Sequence, residues 1–409
     1  MSAGVAAYIY SINTYMKHVV VKELTLSNVE FNNCFPLFCT SERASSLYLI
    51  MATATTAHAS SFGNKAFEKV EPNLSKSVSL FDPSQHLCFE KPKENVMLKD
   101  LGLSEEGAIA PLAITDPFPL FSLDCVRRMR EEMFQEKIIN GYHQRMEPGC
   151  YTLRGFIDHA PFIESVWRSP EVMDAVCKAA GVDLEVIFEY EMAHINVQVE
   201  GLTNDTPLTS MIPPAVPQPH AAVTTVEEAE KAQAAQMAAA GPWHKDCYPW
   251  VLITMLSDTT NMIGGETGIR KGDGTIVKQR GPGVGWAYLL QGGCVEHIAL
   301  KSFGGERIAM VTSLRPKDPM QLDLSSLGGV KGNSEWDPLF KQWSLYRLSV
   351  IEQRIHILQE KIRNEKLTYP EIREAMLEWK EGVFKYMEHT TGQMKGTQPD
   401  LTKYQKFFD

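Results

Sequence analysis

Two segments in the first half of the chain have the spacing of polar and apolar residues that is typical of amphipathic helices. Residues 122–139 carry apolar side chains every three or four positions, and Ser122 or Asp124 is placed to cap the first turn. The segment 169–180 opens on Ser169 followed by proline, and a glycine follows its last residue. A helix is therefore predicted over each segment.

The next patterned segments have the character of strands. Residues 186–201 are rich in β-branched and aromatic side chains and predict one long strand. Residues 249–315 contain several short apolar runs separated by glycine and proline, and Asp273-Gly274 between two of these runs predicts a hairpin turn. Because no helical pattern interrupts the runs, an antiparallel sandwich or barrel is predicted.

The last part of the chain is predicted to be helical. One apolar stripe at steps of three and four consists of Leu345, Leu348, Ile351, Ile355, Leu358 and Ile362. Thr368 and Glu371 have the spacing of a capping box and begin a second helix. That helix is expected to bury Ile372, Met376, Trp379 and Val383. The two helices could form a hairpin against the β-core, which we favour, or the interface of a homodimer.

Changes of composition divide the chain into three parts. Residues 1–65 lack sustained periodicity and predict a disordered extension, and Met51 opens a run of small residues that favours it as the native start. A core domain is predicted over 66–333, with a proline- and alanine-rich insertion or lid at 202–240, for which a plain flexible connection is the alternative. Residues 334–409 form the helical extension.

Composition excludes several classes of protein. The chain has 409 residues, of which 50 are acidic and 40 basic, so its net charge of −10 argues against a protein that binds duplex nucleic acid. Its eight cysteines form neither a CxxC pair nor a dense framework, which indicates reduced thiols and a cytoplasmic protein. No apolar run reaches the length of about 18 residues that a membrane-spanning helix needs.

A candidate metal site begins at "GPWHKDCYPW" (241–250). His244 and Asp246 are two residues apart and would point to the same face of a strand. A solvated loop is the common explanation of such a pair, but His297 follows 51 residues after Asp246, in a second strand-like run. Two imidazoles and one carboxylate leave about three positions open on an octahedral ion, which suits non-haem Fe(II) rather than structural zinc.

Arg307 lies in the strand-like run that follows the distal histidine. By alternation it shares a face with small or apolar residues, so its guanidinium could reach inward and hold a carboxylate. The alternative is an arginine at the rim that pairs with Glu306.

Together these motifs resemble the Fe(II)/2-oxoglutarate-dependent dioxygenases, in the order found in prolyl-hydroxylase-like members. The resemblance is carried by His244-x-Asp246, "GGET" at 264–267, "GPGVGWAYLLQGG", His297 and Arg307. The surrounding residues are most similar to fungal natural-product members, some of which act on amino acids or peptide-derived scaffolds. Many members have a serine two positions after the arginine, whereas this chain has Ala309.

The resemblance implies a mainly β fold with flanking helices. Its core would be a double-stranded β-helix (a jelly roll, as in cupins) with N-terminal helices before it and a C-terminal helical hairpin after it. It also implies that His244, Asp246 and His297 bind Fe(II), that Arg307 binds the distal carboxylate of 2-oxoglutarate, and that O₂ is the second cosubstrate.

Four further residues are candidates near the site. Asn196 and Gln198 share a strand face and could contact substrate or cosubstrate, or equally satisfy buried backbone, which we slightly favour. His194 lies on the same face and is a less favoured fourth ligand. Arg154 is a candidate for binding a substrate carboxylate, with a surface salt bridge as the alternative.

The expected activity is oxidation of a C–H bond of a small molecule, by hydroxylation, desaturation or cyclisation, with succinate and CO₂ as co-products. Three rivals remain open. A protein hydroxylase would use the same three ligands, and a nucleic-acid demethylase is disfavoured by the acidic charge. A β-sandwich binding protein would keep the fold without the chemistry, and an incomplete set of ligands would be its sign.

Overall fold

The structure is a computed structural model that describes residues 80–146, 149–203 and 205–398. The predicted extension 1–65, the choice of Met51 as the native start and the first part of the predicted core domain therefore lie outside the described residues.

Fifteen strands are described. In chain order they are β1 (Asn95–Met97), β2 (Leu112–Thr115), β3 (Phe118–Pro119), β4 (His143–Arg145), β5 (Cys150–Leu153), β6 (Leu184–Val186), β7 (His194–Val199), β8 (Trp250–Met255), β9 (Ile263–Gly264), β10 (Thr267–Arg270), β11 (Ile276–Gln279), β12 (Trp286–Leu290), β13 (His297–Ala299), β14 (Ser302–Phe303) and β15 (Glu306–Pro316). Ten of them form one sheet in the order β1-β2-β12-β8-β15-β7-β5-β4, with β3 beside β12 and β6 beside β15. All of its pairs are antiparallel.

Eight α-helices flank the sheets in the described part of the chain. They are α1 (Pro83–His86), α2 (Leu123–Met133), α3 (Glu136–Tyr142), α4 (Pro161–Arg168), α5 (Pro170–Ala180), α6 (Val226–Met237), α7 (Trp336–Asn364) and α8 (Tyr369–Gln393). The predicted large antiparallel sheet and C-terminal helical pair are both present. Helices nevertheless hold more residues than strands, because α7 and α8 alone contain 29 and 25 residues, so "mainly β" fits the core rather than the whole described chain.

The two faces of the main sheet pack into different hydrophobic clusters. Alternate residues such as Leu252 of β8 and Met310 of β15 join a large core that includes side chains of α2 to α5. On the opposite face, Ile253 and Ala309 belong to a second apolar cluster that contains Tyr288. This second face turns toward the smaller strands and carries the candidate site.

The smaller strands form two further sheets. One has the order β11-β10-β13, and the other pairs β14 with β9. His244 extends the first of them through an isolated antiparallel bridge to His297 at the start of β13. The hairpin predicted at Asp273-Gly274 is confirmed, because β10 and β11 pair directly on either side of it, with Arg270 opposite Ile276.

The predicted N-terminal helices are present with one difference. Ser122 caps α2 by accepting a hydrogen bond from the backbone N–H of Cys125, and Ser169 caps α5 in the same way through Val172. The single helix predicted over 122–139 is wrong, since α2 ends at Met133 and α3 begins at Glu136. Gln135 between them has extended backbone angles, which change the direction of the chain.

The single strand predicted over 186–201 is also wrong. The chain leaves β6 at Val186, forms a 3-10 turn at Glu189–Glu191, and starts β7 at His194 after Ala193 in the left-handed region (φ 57°). The buried side chain of Glu191 pairs with Arg154 on the β5 side of the sheet, a contact that composition alone could not reveal.

The C-terminal helices form the predicted pair, but α7 buries a different stripe. Leu345 and Leu348 are 59% and 53% exposed, whereas the buried residues of α7 are Leu339, Trp343, Tyr346, Arg347 and Val350. Met376 of α8 is exposed as well. Aromatic residues, rather than the aliphatic stripe, pack the beginning of α7 against the core beside Tyr190 and Tyr248. The capping box is confirmed, as Glu371 accepts hydrogen bonds from the backbone and hydroxyl of Thr368.

The segment 202–240 is tied to the core at several described points, including the following two. The buried guanidinium of Arg130 on α2 donates to the carbonyl of Pro214, and α6 packs against β9 and β14. Whether this segment acts as a lid stays a prediction. No described helix has the length and apolar character that crossing a membrane requires.

Candidate metal centre

The three predicted ligands converge. The backbones of His244 and His297 exchange two hydrogen bonds, of 3.0 and 2.8 Å. Asp246 follows two residues later, and its backbone N–H donates to the carbonyl of Gly292 at 2.9 Å. One ligand atom from each of the three side chains lies within 4.8 Å of the other two, which is close enough for a shared ion. The prediction that two separate β-segments bring these residues together is confirmed.

The two imidazole rings are oriented for metal binding. Nδ1 of His244 lies 2.9 Å from the carbonyl oxygen of Pro242, and Nδ1 of His297 lies 3.0 Å from that of Val295. Since a carbonyl can only accept, each Nδ1 carries a proton, so Nε2 is the nitrogen that would bind a metal ion in place of a proton. Both Nε2 atoms lie 3.6 Å from Oδ1 of Asp246. Hydrogen bonding of this kind fixes the tautomer and ring orientation of metal-binding histidines.

The charge of the site also fits a cation. Burial opposes ionisation of Asp246, but the neighbouring His297 and His244 hold its pKa below the usual value. Oδ2 of the same carboxylate is buried and has no hydrogen-bond partner among the described residues. A buried, ionised carboxylate with an unsatisfied oxygen is costly unless something positive completes it.

The donor set favours iron over structural zinc. Its two nitrogens and one carboxylate include no thiolate, since Sγ of Cys247 instead accepts a hydrogen bond from the backbone of Gly329. The side chain of His244 is 46% exposed, so one side of the centre is accessible from solvent. His244, Asp246 and His297 could thus hold an ion on one face and leave its other positions open.

Gly292 is a requirement of the site that sequence reasoning missed. A Cβ at this position would lie 1.7 Å from Oδ2 and 2.6 Å from Cγ of Asp246. Gly292→Ala is therefore expected to displace the carboxylate and weaken Fe(II) binding about 10- to 100-fold, which anaerobic titration calorimetry would measure. The matched control is Gly328→Ala, because a Cβ at residue 328 meets no atom within 4 Å. Unchanged affinity in a folded Gly292→Ala protein would contradict this reading.

Arg307 points inward from β15 and does not pair with Glu306, whose carboxylate lies 2.6 Å from Arg130 instead. Arg307 is 3% exposed, and its Nε donates to the carbonyl of Gly265 at 2.7 Å. Its two terminal nitrogens have no protein partner among the described residues, and burial lowers its pKa. A buried guanidinium with free donors is the group that a carboxylate ligand needs.

Two more buried side chains belong to this end of the site. The hydroxyls of Tyr288 and Thr267 lie 2.7 Å apart. Burial raises the pKa of Tyr288, while the charge of Arg307 opposes that rise, so the phenol lies within electrostatic reach of the guanidinium. Both residues lie within the motifs "GGET" and "GPGVGWAYLLQGG", but the sequence alone predicts no role for either. The alternation of β12, which places Tyr288 opposite Ile253, could have placed it on this face.

The other four candidates have different environments. Gln198 accepts a hydrogen bond from the backbone of Ser302 at 2.9 Å, which supports the alternative that it satisfies buried backbone. Asn196 lies two residues from His194 on β7, and its side chain opposes the lowering of the His194 pKa. His194 does not belong to the three-residue metal group. Its Nε2 is buried without a partner among the described residues, and burial together with the charge of Arg154 lowers its pKa to about 3.

Arg154 is not part of a surface salt bridge. It is 4% exposed and forms an ion pair with Glu191, which is equally buried. The hydroxyl of Tyr248 also donates to Glu191, at 2.9 Å. Burial opposes the charge of Arg154, but Glu191 keeps its pKa raised. Its predicted role toward a substrate carboxylate stays a prediction.

Comparison with known proteins finds similar solved structures only. No protein-family model and no curated protein matches the chain. A 2OG-Fe(II) oxygenase family oxidoreductase from Burkholderia pseudomallei is 11% identical, with 46% of this chain and 76% of that chain covered and a TM-score of 0.30. The non-heme alpha-ketoglutarate-dependent epimerase SnoN from nogalamycin biosynthesis is 9% identical over 54% and 82% of the two chains, with a TM-score of 0.31.

A third similar structure is a prolyl-4-hydroxylase from Pseudomonas putida. It is 14% identical, with 48% of this chain and 88% of that chain covered and a TM-score of 0.27. Because every one of these TM-scores is below 0.5, the activity of this chain has to follow from its own residues.

Proposed function

We propose that the chain is an Fe(II)/2-oxoglutarate-dependent dioxygenase that oxidises a C–H bond of a small molecule. The observation that carries the proposal is the convergence of His244, Asp246 and His297. Both Nε2 atoms face one carboxylate, whose Oδ2 has no hydrogen-bond partner among the described residues. Two histidines and one carboxylate with open positions are the ligand set of non-haem Fe(II) oxygenases.

The arrangement of strands supports a double-stranded β-helix as the scaffold. The sequence alternates between the two facing sheets: β7 and β8 lie in the main sheet, β10 and β11 in a small sheet, β12 in the main sheet, β13 in the small sheet and β15 in the main sheet. His244 and His297 are neighbours in the small sheet, while Arg307 comes from the main sheet. Both walls of such a scaffold would contribute to one site.

Arg307 supports 2-oxoglutarate as the cosubstrate. A dicarboxylate that chelates iron at one end needs a cation for the other end, and the buried guanidinium offers two terminal nitrogens for a bidentate contact. The hydroxyls of Tyr288 and Thr267 lie at the same end and could donate to the same carboxylate. Many members of the family that the motifs resemble have a serine at the position of Ala309. In this chain the hydroxyls of Tyr288 and Thr267 would take the place of that serine as donors.

When bound, iron, 2-oxoglutarate and O₂ would supply oxidative decarboxylation to succinate and CO₂ coupled to oxidation of a C–H bond. The residues of the chain position and shield this chemistry. His244 and His297 present Nε2 because backbone carbonyls hold their Nδ1 protons. Ile253, Leu290 and Ala309 form a buried apolar wall on the same sheet face, which excludes water.

The alternatives have less support. A non-catalytic binding protein would not need a complete ligand set with both imidazoles fixed in the metal-binding tautomer. A protein or peptidyl hydroxylase would need an open groove for a polypeptide, and α6 covers β9 and β14 on this side. We therefore keep a small-molecule substrate as the proposal.

A homodimer through α7 and α8 is a further part of the proposal. Leu345 and Leu348, which the stripe pattern predicted to be buried, are more than half exposed in the single chain. A second copy could cover them. Light scattering after size exclusion should give twice the chain mass, and replacing both leucines by Glu should give the single mass. A monomer in the unsubstituted protein would contradict the dimer.

Spectroscopy and turnover test the proposed activity together. Under anaerobic conditions, Fe(II) and 2-oxoglutarate added to the protein should produce a weak visible charge-transfer band that Zn(II) does not produce. With O₂ and a panel of amino acids and other metabolites, succinate should form. The absence of both the band and succinate in a folded protein would contradict the proposal.

A further inference from the structure

A second candidate binding site lies between β4, β5 and the start of α7. It is a cavity of about 250 Å³, against about 30 Å³ for one water in the liquid. The lining residues used below are Tyr142, Gln144, Arg154, Asp158, Tyr190 and Glu335. None of the three candidate metal ligands is among its lining residues.

The cavity carries negative charge that no described protein cation neutralises. Asp158 and Glu335 are exposed, and neither forms an ion pair with a described residue. Glu189 also lines the cavity, but Arg168 pairs with it. Burial raises the pKa of Tyr142, and the charges of Asp158 and Glu335 both raise it further, so the two carboxylates approach the same phenol.

Two polar atoms of the lining are buried without hydrogen-bond partners among the described residues. One is an acceptor, Oε1 of Gln144, and the other is a donor, Nε of Arg154. Arg154 is 4% exposed, and its NH1 makes only a long contact of 3.4 Å with Oδ1 of Asn333. Both atoms lie within the cavity wall rather than at its surface, and a rotation of either side chain would present an unsatisfied group to a polar ligand.

We propose that this cavity binds a small organic amine that also carries an accepting oxygen, as an amino acid or an amino alcohol does. The ammonium group would lie between Asp158 and Glu335, with Oε1 of Gln144 as a further acceptor. The accepting oxygen would lie at Arg154. The rings of Tyr142 and Tyr190 provide aromatic faces for the cation and for an apolar part of the ligand.

The inference goes beyond the proposed oxygenase activity and does not depend on it. Arg154 is nevertheless a link between the two places, because its charge acts on His194, which also feels the charge of Asp246. Binding is therefore measured on the metal-free full chain. Formation of the Fe(II)–2-oxoglutarate band is then recorded on the same protein, so that failure of one proposal is distinguished from failure of the other.

Three probes of matched shape test the site: L-phenylalanine, 2-phenylethylamine, which lacks the carboxylate, and 3-phenylpropionate, which lacks the amine. Titration calorimetry should show saturable binding of both amines and at least tenfold weaker binding of 3-phenylpropionate. The proposal is overturned if 3-phenylpropionate binds as tightly as the amines, or if neither amine binds at concentrations up to about 10 mM. A dissociation constant of about 10 mM corresponds to a binding free energy of about −2.7 kcal/mol.

Variants assign the binding to this cavity. The double substitution Asp158→Asn and Glu335→Gln removes two exposed charges and should weaken binding of 2-phenylethylamine about tenfold, because each exposed pair contributes modestly. Glu374→Gln, at an exposed carboxylate of α8 that does not line the cavity, is the control and should change nothing. Equal affinity of the double variant and the unsubstituted protein would refute the site.

Discussion

Asp246→Asn is expected to weaken Fe(II) binding by at least about 100-fold and to abolish both the charge-transfer band and succinate formation. The carboxylate is the only anionic group among the three ligands, and its Oδ1 lies 3.6 Å from each Nε2. Asparagine keeps the shape of the side chain but cannot neutralise the ion, and loss of even an outer partner of a metal site costs about 10- to 100-fold in affinity. Anaerobic titration with Fe(II) measures the change.

The matched control for this variant is Asp273→Asn. Asp273 lies in the turn between β10 and β11, and Asn-Gly suits such a hairpin turn as well as Asp-Gly. The control should keep metal affinity and activity within twofold of the unsubstituted protein. An Asp246→Asn protein that binds Fe(II) within threefold of the original affinity would show that the three residues are not the metal centre.

The thermal stability of Asp246→Asn gives a second prediction. In the metal-free protein the neighbouring histidines hold the pKa of Asp246 below its usual value, so the folded state favours the ionised carboxylate. The metal-free variant is therefore expected to melt slightly below the unsubstituted protein at neutral pH, and the difference should shrink as the pH falls through that pKa. Melting curves at neutral and acidic pH measure this, and a higher melting temperature of the variant at neutral pH would contradict it.

The metal ligands could be predicted from the sequence because strand geometry fixes them locally. The two-residue step from His244 to Asp246 and the placement of His297 in an apolar run are properties of short segments. The backbone bridge between the histidines then follows from pairing of adjacent strands. Ser122, Ser169 and the hairpin at Asp273-Gly274 were predicted for the same reason, since caps and turns are local signals.

The misplaced elements depend on contacts between residues far apart in sequence. The strand predicted through Glu191 is interrupted because its carboxylate pairs with Arg154, 37 residues earlier. On α7, the periodicity predicted that Leu345 and Leu348 would be buried, but Trp343 and Arg347 are buried instead. The guanidinium of Arg347 lies 3.5 Å from the ring centre of Tyr386. A pattern of hydrophobic residues does not reveal that a buried cation will be paired.

Two kinds of site residue were not predicted from the sequence. One is a glycine that is needed because it has no side chain, and the other is a pair of residues that only the folded sheets bring together. Gly292 matters because it has no side chain where Asp246 needs room. Tyr288 and Thr267 lie on different strands and are brought together only by the two facing sheets. Arg307 was predicted as an inward cation, and alternation along β15 places Glu306 on the opposite face, where it pairs with Arg130.

Arg307→Met is expected to raise the KM for 2-oxoglutarate about 100-fold while Fe(II) affinity stays within twofold. Methionine keeps the unbranched apolar stem of arginine but offers no donor, and removing one partner of a buried charge-assisted contact costs about 2–5 kcal/mol. Arg307→Lys keeps a charge without the planar pair of donors, so its KM for 2-oxoglutarate should lie between those of the unsubstituted protein and Arg307→Met. Succinate formation at varied 2-oxoglutarate concentration measures the effect.

A control variant and the melting temperature distinguish a role of Arg307 in cosubstrate binding from a role in stabilising the fold. Arg363→Met removes an exposed guanidinium of α7 and should leave KM unchanged. Because burial lowers the pKa of Arg307, its charge is costly in the cosubstrate-free protein. Arg307→Met should therefore retain its melting temperature without 2-oxoglutarate and lose only the rise that added 2-oxoglutarate and metal produce. An unchanged KM with a lower melting temperature would instead assign Arg307 a structural role through Gly265.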